Sequence, residues 1–425
     1  MSNNNQRIYI KTINIQQVRH LSDIHITIEG GQSEPIMKHL LLTGKNGSGK
    51  TSVLDALEKQ LINLSQNREY FNYPKHLESA EKNLIRLREN NANPDQITSQ
   101  EDYIGSLKRT IEQDDSGIIL TFNQDIRLLR GLFEKGEFIL AYFKAERIFN
   151  ATTPKHIEKV QLKNQYLIGD DPRMDFVKYL VDKKVSQSLY QTEKNEEKAK
   201  SLELWFDSFE KLLQTVFEDD TLKLEFDVST FSFHILEKDR ERFDFNTMSA
   251  GYAAILDIVA SIIMRMEAIS PKGFLFDMPG IVLIDELETH LHYELQEKIL
   301  PFLCTIFPNI QFIISTHSAF ILNSINNAVI YDLENRITVE NGLSNVPYDG
   351  IIKGYFNVST LSDELQQKFA QYKEMIKKKE LTDDDLAEIQ RLSIYLDEIP
   401  DYLAFDLTTE YRRLKLEFEN REDLR

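Results

Sequence analysis

Apolar positions along this chain fall into three patterns, and together they predict an α/β fold. From Ile8 to Glu29 apolar and polar residues alternate (YIKTINIQQV, then LSDIHITIE), the two-residue period of half-buried strands joined around Arg19 and His20. Gly30-Gly31 and Pro35 then read as a turn. Leu40-Leu41-Leu42, Gly280 to Ile284 and Gln311 to Ser315 are apolar runs of the kind that form strands buried on both faces. Gly117–Phe122 and Phe138–Phe143 add two further strands, and Leu222 to Leu236 alternates again as a hairpin.

The third pattern has helical spacing. Leu77, Ala80, Leu84 and Leu87, then Ile104, Leu107 and Ile111, recur in the polar stretch 66–115, with Asn90 to Pro94 as a turn between them. An antiparallel, coiled-coil-like hairpin is expected there. Residues 150–200 are mixed and charged and suggest a helical subdomain, and Trp205, Phe206, Phe209, Leu212, Leu213 and Val216 mark one face of an amphipathic helix. An apolar helix is expected over Ile255 to Met266. A charged helical tail follows Leu361, with apolar positions Leu365, Phe369, Tyr372 and Met375, then Ile389, Leu392, Ile394 and Leu396. No internal repeat is visible.

The strand Leu40–Leu42 runs into GKNGSGKT, Gly44, Lys45, Asn46, Gly47, Ser48, Gly49, Lys50 and Thr51, which fits the phosphate-loop pattern at every fixed position. Its glycines let successive N–H groups point at one anion, and the helix opening at Ser52 adds its positive dipole end. Lys50 is placed to reach the β- and γ-phosphates and Thr51 to ligate Mg²⁺. Nucleotide binding follows from this stretch alone. Asp285 and Glu286 end the second buried strand, where α/β sheets bind ligands. Asp285 suits a Mg²⁺ shell, and Glu286 is placed to polarise an attacking water. His317 follows the third buried strand and is a candidate sensor of the γ-phosphate. Ser249-Ala250-Gly251 opens the Ile255–Met266 helix as a second anion cradle.

Composition narrows the setting. The 425 residues allow two or three domains and a sizeable core. A net charge of −18, from 50 basic and 68 acidic residues, argues against a uniformly basic nucleic-acid surface. The single cysteine, Cys304, rules out an internal disulfide and is expected in core packing. MSNNNQRIYI lacks a signal pattern, and no run of about 18 apolar residues occurs, so a cytoplasmic protein without a membrane partner is expected. Asp383-Asp384-Asp385 reads as the acidic first turn of a helix rather than a metal site.

The order of phosphate loop, long insertion, Ser-x-Gly helix, Asp-Glu strand and histidine strand resembles the ATP-binding-cassette ATPases, and within them the SMC, RecF and OLD group. The phosphate loop and LIDELETHLH…ISTHSAFIL especially resemble the ATPases of bacterial anti-phage systems such as Septu and PARIS. Met248 and Tyr252 depart from the usual signature, and Lys144-Ala145-Glu146-Arg147 stands where the family has its glutamine loop, without a glutamine. The resemblance implies an ABC-type ATPase head, with a mixed sheet, flanking helices, an inserted helical-hairpin arm and a helical C-terminal tail. Its expected parts are an ATPase lobe over 1–65 and 116–150, the arm over 66–115 and a lid over 151–245. A second lobe spans 246–340 and a docking or oligomerisation tail 341–425.

The resemblance also implies that two copies sandwich two ATPs. Lys50, Thr51 and Asp285 then hold phosphate and Mg²⁺ in one subunit. Ser249 and Gly251 cap the γ-phosphate of the other. Leu287 to His290 lie at the dimer seam, and Arg19 or His20 packs by the base. The expected function is an ATP-driven switch, a homodimer or higher homo-oligomer, that controls a separately encoded nuclease effector in response to DNA or a phage protein. A RecF-like clamp that grips DNA directly is the alternative, and the acidic balance counts against it.

Overall fold

A computed structural model describes residues 7–28, 37–147, 149, 151–152, 156–238, 240–268, 276–346, 350–351, 363–378, 380–399 and 405–421. The turn expected at Gly30, Gly31 and Pro35, and the start of the tail at Leu361, lie outside them. The chain divides into two compact units, Met1–Val346 and Pro347–Arg425.

The first unit starts with Ile10–Val18 (β1) and Leu21–Thr27 (β2), paired antiparallel with Val18 opposite Leu21, so the chain reverses at Arg19 and His20 as the alternation predicts. His39–Thr43 (β3) is buried at all five positions and feeds the phosphate loop and Lys50–Ser65 (α1). The hairpin follows as Tyr73–Glu89 (α2) and Pro94–Asp114 (α3). Its seam is thin: only Ala80, Ile104 and Leu107 are buried, with Tyr73, Leu77 and Leu84 packed on them.

Ile118–Phe122 (β4) returns to pair with β1. Ile126–Glu134 (α4), absent from the sequence reading, is a short amphipathic helix capped by Asp125, with Leu129 and Phe133 buried one turn apart. Ile139–Phe143 (β5) leads out to the lid. Residues 156–171 hold no helix or strand, so the expected helical subdomain begins only with a 3₁₀ turn at Pro172–Asp175 and Phe176–Thr192 (α5).

Glu196–Phe217 (α6) buries the aromatic face read from its spacing, and Lys223–Asp227 (β6) and Ser232–Leu236 (β7) form the expected hairpin. Ala250–Glu267 (α7) is buried along nearly its whole length. Its last residue, Glu267, accepts from Tyr179 Oη and Trp205 Nε1 at 2.6 Å each and pairs with Lys183 at 3.1 Å, which ties α7 to α5 and α6.

Gly280–Ile284 (β8), Tyr293–Ile306 (α8), Ile310–Ser315 (β9), Ala319–Asn323 (α9), Ala328–Asp332 (β10) and Ile337–Val339 (β11) complete the unit. The main sheet has the order β11-β10-β3-β9-β8-β5, parallel except for the β10–β11 edge. Strands from the two expected lobes therefore interleave in one sheet. β10 was not anticipated: in AVIYD the apolar run is only four residues long, and its period distinguishes neither strand nor helix.

A three-stranded sheet, β2-β1-β4, packs onto this layer around a shared core that includes Ile10, Ile13, Leu40, Leu54, Leu57, Leu140, Leu283 and Ile313. Fully buried Gln311 joins the sheets. It accepts from the Ile10 N–H (2.8 Å) and donates to the carbonyls of Ile10 (3.0 Å) and Lys38 (2.9 Å). No described helix is long and apolar enough to cross a membrane.

The second unit contains the helices Asp363–Met375 (α10), Asp383–Asp397 (α11) and Phe405–Glu419 (α12) around Phe369, Tyr372, Ile389, Leu392, Leu396, Leu407 and Tyr411. Ile394, expected on the apolar face, is instead exposed, because the helical turn carries it to the opposite side from Leu392 and Leu396. The acidic trio is a capping device. Thr382 and Asp385 exchange hydrogen bonds in a capping box, and Lys378 with that cap pulls the Asp385 carboxyl down to about 2.

Cys304 packs beside His39, Sγ to Nε2 at 3.3 Å, while His39 Nδ1 accepts from the Phe312 N–H at 3.1 Å. Burial lowers His39 from 6.5 to about 4 and raises the Cys304 thiol to about 12. The unfolded chain takes up the histidine proton near 6.5 and the folded chain only near 4, so this group removes stability as pH falls through that window. The slope it contributes is at most about 1.4 kcal/mol per pH unit. Thermal unfolding midpoints followed from pH 6.5 down to 4 are expected to fall, and His39→Gln, which retains a donor and an acceptor, is expected to flatten that dependence.

A candidate nucleotide site at the strand ends

Parallel pairing sets β3, β9 and β8 side by side with their C-terminal ends together, so the loops leaving all three converge. The phosphate loop needs its glycines. Gly49 has φ 98° and ends the loop as the N-cap of α1; a Cβ there would stand 2.8 Å from Leu21 Cδ1. Gly44 has φ 129°, and a Cβ on it would meet Ser48 Oγ at 2.9 Å. The Ser48 hydroxyl is buried without a partner, an orphaned donor suited to an oxyanion.

Lys50 is buried and donates to the carbonyls of Gly44 (2.9 Å) and Lys45 (3.1 Å). Burial pulls its pKa down, while the carboxylates of Glu286, Glu288, Asp285 and Asp332 push it back up. Lys45 points away to the surface: its ammonium pairs with Glu334 at 2.8 Å and its N–H donates to the same carboxylate at 3.3 Å.

Across the cleft, Thr51 Oγ1 donates to Asp285 Oδ2 at 2.8 Å, and Ser315 Oγ donates to Asp285 Oδ1. Ser315 also accepts from the Glu286 N–H at 2.8 Å. This set of oxygen donors, one carboxylate and one hydroxyl at the cleft with a second hydroxyl behind, has the chemistry of a hard divalent cation site. Glu288 accepts from Thr316 Oγ1 (2.8 Å) and the His317 N–H (2.5 Å), locking the loop after β8 to the loop after β9.

Burial, then the nearby Lys50 charge, lowers the His317 pKa, while the carboxylates of Glu288, Glu286 and Asp285 oppose the shift. Arg19, His20, Asn46, Gly47, Gly49, Lys50, Thr51, Ser52, Glu286 and His317 line a single open cleft of about 260 Å³. Four separate stretches of sequence thus meet in one place.

Ser249 and Gly251 are not part of that cleft. Ser249 is exposed at the N-terminus of α7, and its side chain makes no capping bond to its own helix. Gly251 is buried against the dimer-seam candidates: a Cβ on it would lie 3.2 Å from the His290 carbonyl.

Two residues to which sequence reasoning gave no role are structurally central. Ser315 is the one hydroxyl in its buried strand, a signal that was available. Arg147, in the KAER stretch after β5, is buried and donates through Nη1 to the Asp285 carbonyl (2.6 Å) and through Nη2 to the Glu286 carbonyl (2.7 Å). Nothing local in the sequence announces those partners, which are main-chain atoms of a distant strand.

Comparison with known proteins places the chain in a family. A retron Ec83 probable ATPase of Escherichia coli is 23% identical over 467 aligned positions, covering 90% of this chain and 85% of that protein. Two matches are local: a retron Vc95 probable ATPase of Vibrio cholerae at 35% over 105 residues, and the Septu protein PtuA of Bacillus mycoides at 39% over 89. They cover 23% and 21% of this chain, and 20% and 12% of those proteins. Among solved structures, an SMC head bound to the C-terminal winged-helix domain of ScpA aligns over 80% of this chain and all of its own, at 12% identity and a TM-score of 0.38. Residues 40–323, more than half of the 425, match the family model described as "AAA domain, putative AbiEii toxin, Type IV TA system". The chain belongs to that family, as an ABC-type phosphate-loop ATPase domain.

Proposed function

We propose that this chain is an ATP-hydrolysing switch that closes as a dimer around two nucleotides. The observation that carries the reading is the convergence of Lys50, Thr51, Asp285, Glu286 and His317 on one cleft, while Ser249 and Gly251 stand outside it. In this reading the exposed α7 turn of one copy completes the cleft of the other.

The loop amides from Gly44 to Gly49 and the Lys50 ammonium hold the β- and γ-phosphates, and Ser52 extends the cradle into the first turn of α1. Thr51 and Asp285 would hold Mg²⁺, which supplies charge neutralisation along the phosphates. Glu286 orients the attacking water and takes its proton as the water oxygen bonds to the γ-phosphorus and the bond to the β–γ bridging oxygen breaks. The neutral His317 ring hydrogen-bonds the γ-phosphate, and the Ser249 hydroxyl of the second copy donates to the same group. Arg19 and His20 border the cleft where the base would lie.

The relatives named as retron ATPases and as a Septu protein support placing this cycle in anti-phage defence. There nucleotide-driven dimerisation would control a separately encoded effector, a nuclease, with DNA or a phage protein as the trigger. The net charge of −18 favours this over a clamp that grips DNA phosphates directly.

Glu286→Gln is expected to lower steady-state phosphate release about 100-fold or more while nucleotide binding persists. With ATP it should accumulate as a dimer in size-exclusion chromatography with light scattering. Unchanged turnover would reject Glu286 as the base. Lys50→Ala and Ser249→Arg should each be inactive alone yet regain measurable turnover when mixed, because one composite site in the mixed dimer is intact; no recovery would reject the shared site. Cleavage of DNA or RNA by the purified chain alone would reject the separate effector.

A further inference from the structure

Consecutive residues of a strand point to opposite faces, so two adjacent carboxylates at a strand end should not serve the same cleft. Asp285 and Glu286 nevertheless both do: Asp285 bonds Thr51, and Glu286 lines the cleft with Lys50, Thr51 and His317. The backbone explains it. Glu286 has φ 47°, in the left-handed region that side chains other than glycine rarely occupy. The turn at that residue swings the second carboxylate back to the side of the first. Such a conformation persists only where its surroundings hold it.

The holders are on both sides of the residue. Ser315 Oγ accepts from the Glu286 N–H at 2.8 Å, and the Arg147 guanidinium donates to the Glu286 carbonyl at 2.7 Å and to the Asp285 carbonyl at 2.6 Å. A third bond, Arg147 Nη1 to the Lys144 carbonyl at 3.1 Å, anchors the guanidinium to its own loop. Arg147 is only 3% exposed, and among the described residues it forms no side-chain ion pair. The cost of burying this charge is offset by its three carbonyl acceptors and by the nearby carboxylates of Glu288, Asp285 and Glu286. Burial lowers its pKa to about 10, which leaves it charged and donating at neutral pH.

We propose that Arg147 is a positioning residue for hydrolysis, holding Glu286 in its left-handed conformation so that both carboxylates face the nucleotide. The inference rests on the reading of Glu286 as the residue that activates water. It assigns a task to the KAER stretch, which carries no glutamine. The planar, two-pronged guanidinium suits it, since it spans two successive carbonyls where an ammonium serves one point at a time. Arg147 is not among the residues that line the nucleotide cleft, and its bonds go to main-chain carbonyls behind it. Its effect is therefore expected on the rate of the chemical step and not on nucleotide affinity.

The test uses the full chain with Arg147→Ala, Arg147→Lys and Arg147→Gln, measuring phosphate release against ATP concentration, equilibrium binding of a fluorescent ATP analogue, and thermal unfolding. For Arg147→Ala, kcat is expected to fall about 100-fold and the analogue's Kd to change by less than about 3-fold, the difference of two charge-assisted bonds expressed only in turnover. Arg147→Lys should lose about 10-fold in kcat, and added guanidinium ion should restore part of the Ala variant's rate. Should Arg147→Ala fail to fold, the Lys and Gln variants decide. A Gln variant with wild-type kcat would show that any neutral donor suffices and would overturn the proposal. So would a loss of nucleotide binding that matches the loss of kcat, or an unchanged kcat in the Ala variant. Glu286→Gln, assayed alongside, separates the two ideas: if its turnover is normal the water-activation reading falls, whereas if it is inactive and Arg147→Ala is normal only the positioning role falls.

Discussion

The bond between Thr51 and Asp285, backed by Ser315, is the constraint on which the rest of this site depends. It links the last residue of the phosphate loop to the end of β8 and the end of β9, places far apart in sequence. Asp285 is only 3% exposed, and a carboxylate that deep is tolerated because hydroxyls donate to both of its oxygens. The parallel register makes this possible. Ile314 lies level with Ile284, so Ser315 stands beside Asp285 without further adjustment. A slip of one residue in either strand would turn the serine to the other face and strand the acid.

That register is itself enforced from the opposite end of the sheet. Gln311 sits at the start of β9, sealed from solvent, and spends its amide on the backbone of β1 and the carbonyl of Lys38 just ahead of β3. A buried amide with all its bonds made is intolerant of displacement, since any shift leaves a polar group unpaired in the core. The β1–β2 hairpin is thereby fixed relative to the phosphate loop. Its turn, Arg19 and His20, borders the cleft, and Leu21 stands where a side chain on Gly49 would have to go. Packing between sheets and the shape of the anion cradle are one problem here.

What was legible in the sequence follows from how local each device is. The phosphate loop, the Asp-Glu pair and the histidine strand are short motifs whose chemistry lies within a few residues, and the alternating, uninterrupted and helical patterns placed their elements correctly. The lid helix α6 was visible because its apolar and aromatic face, Trp205 to Val216, repeats over about three turns. Short elements were not: α4 and β10 offer too few positions to show a period. Ile394 was misassigned to a buried face because an apolar residue on a helix reads the same whether or not anything covers it. Arg147 was out of reach for another reason. Its partners are carbonyl oxygens, which every residue has, so no side-chain pattern records the contact.

The charge arrangement explains why a motif built on a lysine must be surrounded by acids. Lys50 is buried, which alone would favour losing its proton, and four carboxylates oppose that loss. The same carboxylates would repel a polyphosphate, so the cleft cannot rely on the acids for binding. In the proposed cycle the balance would come from groups that are not acidic: the loop amides, the helix dipole of α1 and a cation that Thr51 and Asp285 would hold. In the proposed site Lys50 brings a buried positive charge whose pKa the surrounding acids push back up, and the lowered His317 pKa favours a ring that hydrogen-bonds without adding charge beside Lys50.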